Sequence, residues 1–138
     1  MTDPELIARK ASLIEKDLLT LKGVLEKLGD KAVLDVGEQA QVERLLERMI
    51  GRMIDTNFHL ITEKGRPAPK DYHESFMELG RMKILDGEFS KKISYAAGLR
   101  NRIAHEYDEI DAEKLLDGAR SALKDIPEYL KQILKQAS

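Results

Sequence analysis

Apolar residues along this chain recur at steps of three and four, and no stretch alternates with the period of two that a half-buried strand shows. Ile14, Leu18, Leu21, Leu25 and Leu28 alternate steps of four and three. On an α-helix they form one stripe, suited to packing against another helix. Asp3 is a capping carboxylate, and Pro4 follows at the first helical position. Gly29-Asp30 ends this helix. Gly23 weakens its interior slightly and is read as a point of close helix approach.

Asp35 and Glu38 have capping-box spacing at the head of a second helix that runs to about Thr62. Val42, Leu45, Leu46, Met49, Ile50, Met53, Ile54, Phe58, Leu60 and Ile61 are too many for one narrow stripe. Such a helix is buried, or packs a partner chain as well as its own core. Asp55, Asn57 and His59 interrupt the run. Asn57 reads as a core hydrogen-bonding residue, and His59 as a solvated or hydrogen-bonded histidine.

Gly and Pro make residues 63–69 a loop. Its Lys64 and Arg66, with Lys70, either reach phosphates or form a solvated basic surface. Asp71 opens a short helix through Phe76, Met77 and Leu79, closed at Gly80. Asp86-Gly87 turns the chain into a further helix, with Phe89, Ile93, Ala96, Ala97 and Leu99 facing inward. Asp111 caps the last helix, which carries Leu115, Leu116, Ala119, Ala122, Leu123 and Ile126; Pro127 is expected to kink or split it. The fold class is therefore all-α: an up-and-down bundle of about five helices, one domain over residues 1–138.

Composition narrows the function. There is no Cys, which excludes disulfides, thiolate metal sites and a cysteine nucleophile. No apolar run reaches membrane-spanning length, and the N-terminus lacks a basic region followed by an apolar one. A cytoplasmic protein is expected, with no membrane partner. The net charge is -2, so any contact with nucleic acid comes from a local patch, not a whole-chain field. Aromatic residues are 5% of the chain, too few for stacking platforms along a single strand.

The chemistry gathers in Leu99-Arg100-Asn101-Arg102-Ile103-Ala104-His105-Glu106-Tyr107. On a helix, Asn101 and His105 share a stripe with Asp108, and Arg100, Ile103 and Tyr107 form an adjacent one. Arg100 and His105 flank one edge. Arginine offers a fixed fork of donors suited to phosphate oxygens. Histidine takes or gives a proton near neutral pH. Arg and His, with no metal set and no nucleophilic Ser or Cys, suit cleavage of RNA by its own ribose 2′-hydroxyl. The same residues also have structural roles: His105 as a C-terminal cap, Arg100 in a surface ion pair, Tyr107 as core with its hydroxyl at the rim.

Residues 100–107 resemble the Arg-x4-His-x-Tyr signature of HepT-like proteins, a branch of the HEPN superfamily. Residues 69–80, from Pro69 through Tyr72, Glu74 and Phe76 to Leu79, resemble that family's Pro-x-x-Tyr-x-Glu-x-Phe-x-x-Leu stretch. The helix carrying Met53-Ile54-Asp55-Thr56-Asn57 resembles its polar Asp-x-x-Asn helix. The resemblance covers about the middle two-thirds of the chain. It implies a homodimer that sets two motifs facing one cleft, where Arg100, Arg102, Lys91 and Lys92 of both copies concentrate charge. It implies a metal-independent endoribonuclease toxin without cofactor. His105 is then the acid or base, Arg100 the phosphate ligand, Asn101 and Arg102 the supporting residues, and Asp55 orients the motif from behind. It further implies an antitoxin partner, the small nucleotidyltransferase MntA, which adds AMP to the motif tyrosine, Tyr107. A different class also fits these residues: a non-catalytic subunit whose Arg-His pocket holds a nucleotide or the nucleotidyltransferase.

Overall fold

The computed structural model describes residues 4–30, 33–105 and 111–137. It contains α1 (Pro4–Leu28), α2 (Val36–Glu63), α3 (Tyr72–Arg81), α4 (Gly87–His105) and α5 (Ala112–Ala137), with no strand among the described residues. The all-α bundle expected from periodicity is the fold observed.

Every helix after the first starts on an aspartate. Asp35 accepts from the Glu38 N–H at 2.7 Å, while the Glu38 carboxylate accepts from the Asp35 N–H at 2.9 Å. Asp71 accepts from Glu74 N–H at 2.7 Å, Asp86 from Phe89 N–H at 3.1 Å, and Asp111 from Glu113 N–H at 2.9 Å. Each satisfies backbone donors that have no partner within the helix.

α2 is the central element. It packs against α1, α3, α4 and α5. This accounts for its broad apolar surface: Val42, Leu46, Met49, Met53, Leu60 and Ile61 are all buried within the chain's own bundle. α1 lies against α2 and α5, and α3 against α2 and α4. The predicted stripe of α1 holds, with Ile14, Leu21 and Leu28 buried and Leu18 and Leu25 packed at its edge.

Two expectations about glycine are corrected. A Cβ at Gly23 would meet nothing within 4 Å, so no helix approaches closely there. Gly80 does not end α3; it lies inside the helix, where a Cβ would overlap the buried Ser90 side chain of α4. Gly80 is small because α3 and α4 touch. The chain reverses beyond it, at Lys83, with φ of 61°. Pro127 does not split the last helix, since α5 runs through it. The proline N has no hydrogen to donate to the preceding turn, and burial of Ile126, Tyr129, Leu130 and Ile133 holds the segment in place.

A buried polar thread joins three helices. The Tyr129 hydroxyl of α5 lies within hydrogen-bonding distance of both Asn57 Oδ1 and the Met53 carbonyl of α2. Asn57 Nδ2 donates to Ser75 Oγ of α3 at 3.0 Å, and Ser75 Oγ donates to the Tyr72 carbonyl at 2.7 Å. Asn57 is thus the core hydrogen-bonding residue expected. Burial pushes the Tyr129 phenol well above its ordinary pKa.

Candidate active site

α4 carries the motif up to His105, its last residue. Ile103 is buried and Leu99 packs against the core, as their apolar character requires. The polar residues between them then diverge around the helix. Arg100 and His105 are five residues apart, a rotation of roughly 140° at 3.6 residues per turn. This rotation sends the two side chains to different surroundings.

Arg100 is half-buried and enters a cavity of about 270 Å³ between α2, α3 and α4. The walls are Glu47, Arg48, Gly51, Arg52, Ile54, Asp55 and Tyr72. Its guanidinium carbon sits 5.5 Å from the centroid of the Tyr72 ring, a cation–π placement. Tyr72 is braced edge-on by Phe58, with centroids 6.4 Å apart, and its carbonyl takes the end of the buried thread from Tyr129. The platform under Arg100 is therefore tied to α5 through Asn57 and Ser75. The Arg100 Nε is buried and has no hydrogen-bond partner among the described residues. Asp55, expected behind the motif, lines this same cavity.

Arg102 enters a different space. A second cavity, of about 320 Å³, opens between α2, α4 and α5, with Ile50, Ile93, Ala96, Leu99 and Ala122 among its walls. Arg102, Lys92, Lys114 and the exposed Tyr95 also line it. Gly118 keeps α5 close to α4 there, since a Cβ would come within 2.8 Å of Leu99 Cδ2. Asn101 and His105 are exposed and line neither cavity. The chain therefore gathers Arg100 with Asp55, but parts Arg100 from Arg102 and from His105. Tyr107 and Asp108, like the cap expected at Asp3, lie outside the described residues.

The other basic candidates are partly engaged. Lys92 pairs with Asp125 at 3.2 Å, while Lys91 is exposed. Arg66 pairs with Glu78 at 3.2 Å, so the 63–69 loop is anchored to α3. His59 Nε2 is buried and lies 3.5 Å from Glu63 Oε1; it is a local contact within α2, away from the motif. Among the described residues no group of three His, Asp or Glu side chains is placed to hold a metal ion. No described helix is long and apolar enough to cross a membrane.

Sequence reasoning missed Arg48, Arg52 and Asp17. Asp17 is only 6% exposed, and its Oδ2 accepts from Arg52 Nη1 at 2.9 Å and lies 3.4 Å from Arg48 Nε. A signal was present: Asp17 stands three after Ile14 and four before Leu21, a charged residue on the apolar stripe of α1.

The bundle superposes on a tri-AMPylated HEPN toxin of Shewanella oneidensis, solved in complex with its MNT antitoxin. The TM-score is 0.83 with 22% identity, covering 96% of this chain and 98% of that one. The cytosolic protein YutE of Bacillus subtilis is a looser match, at a TM-score of 0.65 with 19% identity, covering 91% of this chain and 88% of that one. The architecture is thus that of the helical HEPN domains. In sequence, the family described as Ribonuclease HepT-like matches residues 14–133. The tRNA nuclease HepT of Aphanizomenon flos-aquae (strain 2012/KM1/D3) is 34% identical over 131 residues, 95% of this chain and 89% of that protein. The chain belongs to the HepT-like ribonuclease family, a class of RNA-cleaving enzymes.

Proposed function

We propose that the protein is a metal-independent endoribonuclease and the toxin of a two-component pair, with residues 1–138 working as one domain in the cytoplasm. One observation supports this most strongly. α4 seats Arg100 on Tyr72 inside a polar cavity, and leaves His105 exposed at the helix end where a strand can reach it. A guanidinium fixed in position is organised for a phosphate. An exposed imidazole is suited to proton transfer.

In this mechanism Arg100 holds the scissile phosphate. His105 takes the proton of the adjoining ribose 2′-hydroxyl, and the 2′-oxygen attacks phosphorus. The bond from phosphorus to the 5′-oxygen breaks, and that oxygen leaves as a hydroxyl, taking a proton from water while the imidazolium returns its own to solvent. The products are a 2′,3′-cyclic phosphate and a 5′-hydroxyl. Arg100 offsets the charge that builds on the phosphate oxygens. Asn101 orients the phosphate or the imidazole, and Arg102 adds positive charge to the same helix end. Because Arg100 and His105 of one chain diverge around α4, this reading pairs Arg100 of one copy with His105 of the other across a homodimer cleft.

The partner in this reading is a nucleotidyltransferase of the MNT class, the kind of antitoxin bound to the Shewanella toxin. It transfers AMP from ATP to the Tyr107 hydroxyl: the phenolic oxygen attacks the α-phosphate, and pyrophosphate leaves. The added anion near the motif repels RNA and blocks cleavage. The relative from Aphanizomenon supports tRNA as the substrate.

One preparation tests the reading. The unmodified protein cleaves RNA in EDTA, leaves cyclic phosphate ends, and loses this activity in His105→Ala. It runs by light scattering at twice its 15.7 kDa chain mass. With antitoxin and ATP, its Tyr107 peptide gains the mass of AMP. Equal cleavage by His105→Ala contradicts the catalytic assignment, a monomeric mass the dimer, and an unchanged peptide the modification.

A further inference from the structure

Scission at Arg100 and His105 leaves a second set of cations unused. Arg48 and Arg52 stand one turn apart on α2 and line the cavity that Arg100 enters. A single oxygen of the buried Asp17 serves both guanidinium groups. A carboxylate paired with one arginine would be a closed structural pair. Here one negative charge faces two positive ones, and among the described residues most of the N–H donors on the two forks remain available. Asp17 therefore orients Arg48 and Arg52 without neutralising both.

The remaining charges of the cavity are Glu47 and Asp55. Asp55 is exposed, and among the described residues neither lies within ion-pair distance of an arginine. Three guanidinium groups thus share one cavity, and the third carries a buried N–H with no acceptor among the described residues. Such a group costs free energy until an acceptor arrives. An anion with several oxygens satisfies it, and planar forks suit phosphate in particular. The polar walls offer little for a base to bury against.

We propose that this cavity is a phosphate subsite. Arg52 and Arg48, held by Asp17, bind the RNA phosphate that neighbours the scissile one on Arg100. The inference rests on the ribonuclease reading above and extends it to a second nucleotide. Tyr72 and Asp17 act as positioning residues: one backs Arg100, the other sets the pair on α2. The strand then crosses the cavity toward the exposed end of α4, which fixes its course past His105.

The test is the salt dependence of RNA binding by the full-length protein, measured in a His105→Ala background with a labelled single-stranded RNA oligonucleotide over a KCl series. Loss of one phosphate contact lowers the slope of log K against log salt by about 0.7. Arg52→Gln and Arg48→Gln each lower the slope by up to that amount and weaken binding at low salt. Arg52→Lys keeps the slope, because the charge remains, while losing affinity with the fork. Melting curves confirm that each variant is folded. Arg48 has a side chain 42% exposed, so Arg48→Gln carries the test if Arg52→Gln does not fold. Slopes equal to the parent's in folded variants, with the wild type cleaving RNA, overturn the subsite and leave the ribonuclease reading intact. No cleavage by the wild type and no RNA binding in the His105→Ala background overturn both.

Discussion

Tyr129 shows what one buried hydroxyl does for the site. It bonds to Asn57 and Met53, and through Asn57 and Ser75 it reaches the carbonyl of the tyrosine that supports Arg100. Tyr129→Phe leaves the buried Asn57 Oδ1 without its donor and destabilises the fold by about 1–3 kcal/mol in urea titrations. The pH dependence has a definite sign. Burial raises the Tyr129 pKa, whereas the unfolded phenol ionises near its ordinary value of about 10. The contribution is complete below about pH 10 and is lost above it, because only the unfolded chain releases the proton there. The wild type therefore loses stability more steeply than Tyr129→Phe above that pH; parallel losses contradict the burial argument. At this scale the sequence was legible by residue type. Arg100, Asn101, Arg102 and His105 stood out because few residues carry such chemistry. Asp17 did not, because a lone acid on an apolar stripe gains its meaning only from Arg48 and Arg52 on another helix.

Helix starts were legible because their causes are local. Asp35, Asp71, Asp86 and Asp111 each bond the backbone two or three residues on, and the sequence displays that spacing. Close approaches between helices were not legible. Gly23 looked like a contact point and is none, while Gly80 looked like a helix end and is the contact between α3 and α4. The two close-approach glycines should differ in a measurable way. At Gly80 a new Cβ overlaps Ser90, which is buried and bonded to the Gly87 carbonyl, so nothing gives way cheaply. At Gly118 it meets a terminal methyl of half-buried Leu99, which borders the second cavity. Gly80→Ala should cost about 3 kcal/mol and Gly118→Ala about 1 kcal/mol, within the range for overpacking. Thermal melts of the two variants check the order; a larger loss at Gly118 contradicts it. Which arginine enters which cavity was beyond the sequence for the same reason. Arg100 and Arg102 are alike, and the helices packed on either side of α4 tell them apart.

For the whole molecule, a chain with a net charge of -2 handles RNA only by concentrating cations. Arg48, Arg52 and Arg100 share one cavity, Arg102 and Lys114 another, and α4 separates them. In the proposed reading, such a layout guides a strand along α4, instead of spreading charge as a diffuse basic coat. The central claim is that His105 draws on the substrate's own 2′-hydroxyl. The most direct measurement compares an RNA oligonucleotide with its fully 2′-O-methylated counterpart, each incubated in EDTA with wild type and with His105→Ala. Cleavage of the unmodified RNA alone, by the wild type alone, with 2′,3′-cyclic phosphate ends, is the predicted result. Scission of the methylated strand, or undiminished activity in His105→Ala, would contradict the account.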